Sequence, residues 1–315
     1  MRSTMGFLLH SDLLGFERAA GLSSERALET ITELAAYACG AMRWRDMSSS
    51  EARRSGDIGY LFQDTLEYYS PDLEEVVRFS ARVTWAMFML PAKLGGPIGL
   101  RGTIVPCPEP PVFETPDHER LKSFVVIPKN IEKARAAESY HVAGARILVS
   151  PEVFSQDPLN EINSTWAPAT RWLLFKIDCG SATESRGEDG HHPLILPRQL
   201  RESFDVAWMN TPIIDKDERG FEQCRRRFSQ FLFSAIHDER TVHHSAATAA
   251  LFEATAQFRG AASRLVRRQF RERGAALPTH DSDSLEYYRW LLAKIQARER
   301  RTGEKIEVAT RVQIA

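Results

Sequence analysis

Two aspartates in this chain stand where a carboxylate needs something to hold it. Asp12 closes the apolar run of "FLLHSDLLGFER" (7–18), and Asp64 sits inside "IGYLFQDTLEYYS" (58–70). The first run reads as a buried strand, and a buried carboxylate is expected to have a cationic partner or a metal. Two carboxylates brought together from neighbouring strand ends can share a pair of divalent cations. Hard oxygen ligands suit Mg²⁺ or Mn²⁺, which keep coordination positions open for phosphate oxygens. Cations flanking a phosphorus centre activate an attacking oxygen and steady a leaving group. Spacing alone leaves a second reading open, in which Asp64 is an ordinary turn residue and Asp12 caps a helix.

The elements that must position this pair can be read along the chain. Residues 5–13 read as a strand. Ser24 is a suitable N-cap for a helix in which Ala27, Ile31, Leu34, Ala35 and Ala38 recur at helical spacing to about Met42. "RDMSSSEARRSGD" (45–57) reads as a loop, and 58–70 as a hairpin with a tight turn near Asp64. In a β-α-β-β arrangement the first strand and the strand leading into Asp64 can lie side by side. Ser70-Pro71 opens a helix running to about Leu90, "KLGGP" (93–97) is a turn, and "IGLRGTIV" (98–105) is a strand. "PCPEPP" (106–111) is expected to end that strand, because proline lacks the ladder donor. "NIEKARAAES" (130–139) reads as a helix, and "GARILVSPEVF" (144–154) as a strand, a turn and a short helix. The order β-α-β-β-α-β-α-β predicts an α+β fold of the ferredoxin-like type, with a mixed or antiparallel sheet and helices on one face. From about residue 170 the character changes. "RWLLFKID" (171–178) is strand-like, "CGSATESRGEDGHH" (179–192) is a polar loop, and helical patterns dominate from about Gly220 to Arg301. The expected division is a core of 1–178 and a mainly helical extension of 179–315 packed on it.

Composition excludes several classes. A chain that is 43% hydrophobic and 26% charged is neither disordered nor fibrous. A net charge of −1 gives no bulk attraction to nucleic acid or to an acidic membrane. Cys39, Cys107, Cys179 and Cys224 lie far apart, so neither a disulfide framework nor a cysteine zinc site is expected. No apolar run reaches the ~18–20 residues that span a bilayer, and no small-residue cleavage site follows the N-terminal apolar stretch. A cytoplasmic location, without membrane insertion, is the expectation.

The local motifs narrow the chemistry. "SDLLGF" (11–16) resembles the Asp-Ile-x-Gly-Phe motif of class III nucleotide cyclases, and "YLFQDT" (60–65) resembles their second metal motif, in which an Asp closes a hairpin. "PIGLRGTIV" and "NIEKARAAES…GARILVSPEV" resemble the strand, helix and strand that complete the catalytic domain. The four motifs stand in the family's order over 7–153. The resemblance implies a ferredoxin-like cyclase domain over 1–178, with Mg²⁺ or Mn²⁺, two per site, on Asp12, Asp64 and the Leu13 carbonyl. It also implies that Phe16 lies beside the substrate and that Arg135 stabilises charge at the phosphorus. Asn130 stands five residues before Arg135, whereas the family spaces its Asn and Arg by four. The base-contacting position, four residues before the second metal Asp, is Tyr60 rather than the purine-reading Lys or Glu. That resembles the bacterial pyrimidine cyclases of Pycsar anti-phage defence, and "DSDSLEYYRWLLAKIQ" (281–296), with Trp290 and Leu291 on its apolar side, resembles their tail helix.

By this resemblance the chain makes cyclic UMP from UTP as a head-to-tail homodimer with sites at the interface, and signals to a separate effector protein. Sterics do not separate uracil from cytosine, so cyclic CMP stays open, as does a degenerate cyclase-fold protein that binds nucleotide without catalysis. Arg101 can reach a triphosphate or be ion-paired in its strand. The pairs His191-His192 and His243-His244 have no partner at metal spacing, and His237 reads as a helix-surface residue. The basic segment "RGAASRLVRRQFRERG" (259–274) reads as a solvated helix face, and Trp166, Trp172 and Trp208 as core.

Overall fold

The computed structural model describes residues 6–16, 23–48, 57–89, 99–114, 124–126, 131–167, 170–176, 196, 198–211, 244, 247, 248 and 251. Several expectations lie outside these residues: Asn130, the 93–97 turn, the 179–192 loop with His191-His192, His237, His243, the basic segment and the tail helix. The same holds for the side chain of Trp172.

β1 (Gly6–Leu14) matches the first predicted strand to within one residue at each end. It is followed by α1 (Ser24–Ser48), which is capped one residue earlier than expected. The Ser23 hydroxyl accepts from the Arg26 N–H at 3.2 Å, and its carbonyl accepts from Ala27 at 3.1 Å. α1 also runs past the predicted end near Met42. No glycine or proline stands between Ala41 and Ser55 to stop it. Its buried stripe, Thr30, Leu34, Ala38 and Ala41, has the predicted spacing.

The hairpin is β2 (Ile58–Phe62) and β3 (Thr65–Ser70), joined by Gln63-Asp64. Gln63 has φ 53°, a left-handed conformation that a two-residue hairpin turn requires. α2 (Leu73–Met89) is capped by Asp72, whose Oδ1 accepts from the Glu74 N–H at 3.0 Å. Ser70, the expected cap, instead ends β3, and its hydroxyl accepts from the Asp72 N–H.

β4 (Gly99–Cys107) runs through Pro106, against expectation. The reason lies in which edge each residue faces. The Gly102 N–H donates to Arg146 O and Ile104 O accepts from Ser150, so even-numbered residues face away from β1. The nitrogen of Pro106 falls on that same edge, past the last paired residue there, and no ladder donor is lost. β5 (Val112–Glu114) and β6 (Phe124–Val126) form a separate two-stranded ribbon that the sequence did not announce.

The predicted helix over 130–139 is two short pieces, α3 (Ile131–Ala134) and α4 (Ala136–Ser139), with Arg135 at φ −77°, ψ 1° between them. In a continuous helix the Ala137 N–H would bond the Lys133 carbonyl. Here it donates to Thr103 Oγ1 of β4 at 3.1 Å, which pulls the backbone onto the sheet. Ala134 and Ala137, both fully buried, allow that approach.

β7 (Ile147–Val149) leads through a 3₁₀ turn capped by Ser150 to α5 (Pro158–Thr165), then to β8 (Leu174–Phe175) and β9 (Phe204–Val206). The sheet order is β2-β3-β1-β4-β7-β9-β8. Every neighbouring pair is antiparallel except β4–β7. The fold class is therefore α+β, as expected. The neighbour of β1 is β3 rather than β2, so Asp64 reaches Asp12 through the far strand of the hairpin. β9 lies beyond residue 178, so the sheet crosses the expected division of the chain. It is tied in by a buried pair in which Arg146 Nη2 donates to Asp205 Oδ2 at 2.9 Å.

One sheet face is covered by α1 and α2. There Leu9 and Leu13 of β1, Leu66 and Tyr68 of β3, and Leu100 and Ile104 of β4 join the helices in the main core. The opposite face carries Leu8, Tyr69, Val105 and Cys107, capped by Ala134 of α3, so helices lie on both faces of the sheet rather than on the one expected, because this face too is apolar enough to need covering. Trp166 and Trp208 are buried in the main core, as expected. His244, read as no metal ligand, accepts from the Gly144 N–H through Nδ1. The Thr248 hydroxyl accepts from the Ala145 N–H at 2.8 Å, so this part of the C-terminal segment does pack on the core. Among the described residues no helix is long and apolar enough to cross a membrane.

Candidate functional site

Strand register writes the site out in rows across the second face. Directly opposed residues give one row of Phe62, Thr65, Asp12 and Arg101, and the next row of Tyr60, Glu67, His10 and Thr103. Residues two apart on a strand share a face, so His10 and Asp12 stand side by side.

Asp12 lies within β1 and is paired on both edges, which disposes of a helix-capping role. Asp64 is brought to it by the hairpin turn, whose geometry is locked when the Leu13 N–H donates to the Asp64 carbonyl at 2.9 Å. The two carboxyl groups are close enough to share a hydrogen bond. Burial pushes the Asp64 carboxyl above the usual carboxylate range, and the negative charges of Asp12 and, more weakly, Glu138 push the same way against its own backbone hydrogen bond. Carboxylates this close cannot both ionise comfortably, so the pair holds a proton or takes a cation. Arg101, on the facing position of β4, donates from Nη2 to Asp12 Oδ2 at 2.8 Å. Of its two sequence readings, the ion-paired one describes it.

Leu13 buries its side chain in the helix-side core. A strand residue presents its N–H and C=O on the same edge, so its carbonyl faces the hairpin turn, as a backbone ligand beside Asp64 must. Tyr60 is on the carboxylate face but two strands from β1, roughly 10 Å at ~4.8 Å per strand. Phe16, after the left-handed Gly15, packs against the main core rather than joining the carboxylates. Arg135 is exposed at the α3–α4 break, and among the described residues no ion pair or hydrogen bond joins it to the aspartates.

Three residues went unread in the sequence. His10 Nδ1 pairs with Glu67 Oε1 at 2.9 Å, with both side chains buried, and Glu138 of α4 brings Oε2 to 3.6 Å from His10 Nε2. A period-two reading of "LLHSD" would have set His10 beside Asp12; Glu67 and Glu138 come there only by register and by the kinked helix. Among the described residues no three His, Cys, Asp or Glu side chains form a ready-made metal cage. A cation held here would take two anionic ligands from the aspartates and its remaining ligands from a carbonyl, water or substrate oxygens, a set that suits Mg²⁺. No family model and no curated protein sequence matches this chain.

Proposed function

We propose that this chain is a nucleotide cyclase that converts UTP to 3′,5′-cyclic UMP and pyrophosphate. The observation that carries the reading is the convergence of the Asp12 and Asp64 carboxyl groups on one face of the sheet, at the hairpin turn. The topology supports it: the first four strands and two helices follow β-α-β-β-α-β order, with antiparallel sheet order β2-β3-β1-β4. That is the ferredoxin-like arrangement on which class III cyclase domains are built.

Asp12, Asp64 and the Leu13 carbonyl would hold two Mg²⁺ or Mn²⁺ ions. When bound, these supply Lewis acidity that eases deprotonation of the ribose 3′-hydroxyl and balances phosphate charge. The 3′-oxygen attacks the α-phosphorus in line, one P–O bond forms, and the bond to the β-phosphate breaks to release pyrophosphate. The chain's residues orient this step. Arg101 fixes one oxygen of Asp12, Oδ2, from the facing strand. Tyr60 presents a phenol to the base from the edge strand, with bulk that favours a single ring. Arg135, exposed at the α3–α4 break, suits a role across a homodimer interface, where a guanidinium stabilises charge gathering on the phosphoryl oxygens. CTP is the alternative substrate, since uracil and cytosine are alike in size. A separate effector responding to the cyclic product, in anti-phage defence, completes the proposal.

The Arg101–Asp12 ion pair also favours a second reading, a cyclase-fold protein that binds nucleotide without turning it over, because the arginine occupies an oxygen a cation would use. Incubating the purified protein with UTP, CTP, ATP and GTP and Mn²⁺, with products identified by mass, separates the two. The expected outcome is cyclic UMP above the other products, and none in Asp12→Ala or Asp64→Ala. Faster conversion of a purine triphosphate overturns the pyrimidine assignment, and no cyclic product from any triphosphate overturns the cyclase reading.

A further inference from the structure

We propose that His10 Nε2 and the Glu138 carboxylate form a binding site for a divalent transition-metal cation, one row along the sheet from the Asp12/Asp64 pair. His10 is 2% exposed, and its Nε2 has no hydrogen-bond partner. A buried ring nitrogen left in this state calls for an explanation, since buried polar groups are almost always satisfied. The other ring nitrogen, Nδ1, donates to the buried Glu67 at 2.9 Å. Carboxylate behind, imidazole in front is the arrangement that orients a histidine toward a metal and raises its basicity.

In front of Nε2 stands Glu138 Oε2, at 3.6 Å. That is too long for a good hydrogen bond. It fits two ligands of one ion: with metal–ligand distances of about 2.0–2.2 Å and a tetrahedral angle, the donor atoms stand about 3.4 Å apart. Nε2 and the Glu138 oxygen thus converge without a good hydrogen bond between them, and a cation held by both would give each a partner.

The backbone holds this geometry. Thr103 lies opposite His10 on β4 and accepts from the Ala137 N–H, so α4 is pinned with Glu138 over the histidine. Glu138 keeps half of its side-chain surface open, so an ion can enter with water to complete its shell. A nitrogen–oxygen pair prefers Mn²⁺ or Zn²⁺ to Mg²⁺.

The test uses the full chain, without nucleotide and without a histidine tag, loaded with Mn²⁺ alone. Pulsed electron paramagnetic resonance should show ¹⁴N coupling from a directly bound imidazole. His10→Gln should abolish the coupling, and Glu138→Gln should raise the Mn²⁺ concentration needed for it about 10-fold or more. No nitrogen coupling in the unaltered protein, or coupling that survives His10→Gln, overturns the proposal. His10 is buried and its variant can fail to fold; the half-exposed Glu138 then decides, and an unchanged Mn²⁺ requirement in Glu138→Gln overturns the site. Neither readout involves turnover. Coupled manganese without cyclic nucleotide sinks the cyclase reading alone, and cyclic nucleotide without coupled manganese sinks this site alone.

Discussion

Asp64 sits in a conflict that its own environment creates. Burial and the neighbouring Asp12 both raise its pKa, so the ionised form is disfavoured in the folded protein. A raised folded-state value means that the favourable contribution belongs to the protonated form. It is fully present below about pH 4, where an unfolded carboxylate also protonates, and is lost as pH rises through the folded value. Asp64→Asn removes a group that must ionise and keeps the shape. Its melting temperature should therefore match that of the unaltered protein near pH 4 and exceed it at pH 8, measured without divalent cations. Mn²⁺ should raise the melting temperature of the unaltered protein more than that of the variant. Equal melting curves at both pH values would show that the pair carries no such conflict. A carboxylate that works against the fold near neutral pH is a candidate for a functional role.

At the scale of elements, the site depends on how closely β4 lies against β1. Gly102 makes this approach: a Cβ there would stand 2.7 Å from Ser11 Cβ and 2.8 Å from Ser11 Cα, and would also strike the His10 carbonyl oxygen. Backbone atoms cannot step aside as a side-chain tip can. Gly102 is flanked by Arg101, which holds Asp12, and Thr103, which holds α4. Gly102→Ala should therefore lower stability by about 1–3 kcal/mol, as overpacking does, read from the denaturant midpoint. It should also weaken activity through the displaced Arg101. A fully stable and active variant would show that the two strands can separate without consequence. The kink at Arg135 belongs to this scale too, because a β4 hydroxyl replaces one helical bond and swings the following turn over His10.

For the whole molecule, the question is whether one chain holds a complete site. Arg135 is exposed and has no hydrogen bond or ion pair to the aspartates among the described residues, which leaves it free to serve a second copy. Mixing inactive Asp64→Ala and Arg135→Ala chains under conditions that exchange subunits should restore part of the activity, since one of the two hybrid sites is then whole. No recovery in demonstrably mixed dimers would place each full site within one chain. The sheet itself is more continuous than the sequence suggested: β9 enters between β7 and β8, and the buried Arg146–Asp205 pair ties it there.

By itself the sequence determined the local elements that carry the carboxylates. A continuous apolar run marked β1, aromatic and branched residues around Gln63-Asp64 marked the hairpin, helical spacing marked α1, and Ser70-Pro71 marked the start of α2, because each of these signals is complete within a dozen residues. It also set Asp12 at one strand's end and Asp64 at a turn, as residues in need of partners. Which residues became their partners was decided only by the tertiary structure. Arg101 meets Asp12 across 89 residues of chain and His10 meets Glu67 across 57. Such pairings follow from strand register, which is set by the burial of whole faces rather than by any local pattern. The same long-range force carried Pro106 into a strand, broke a helix at Arg135 and laid Glu138 over a histidine.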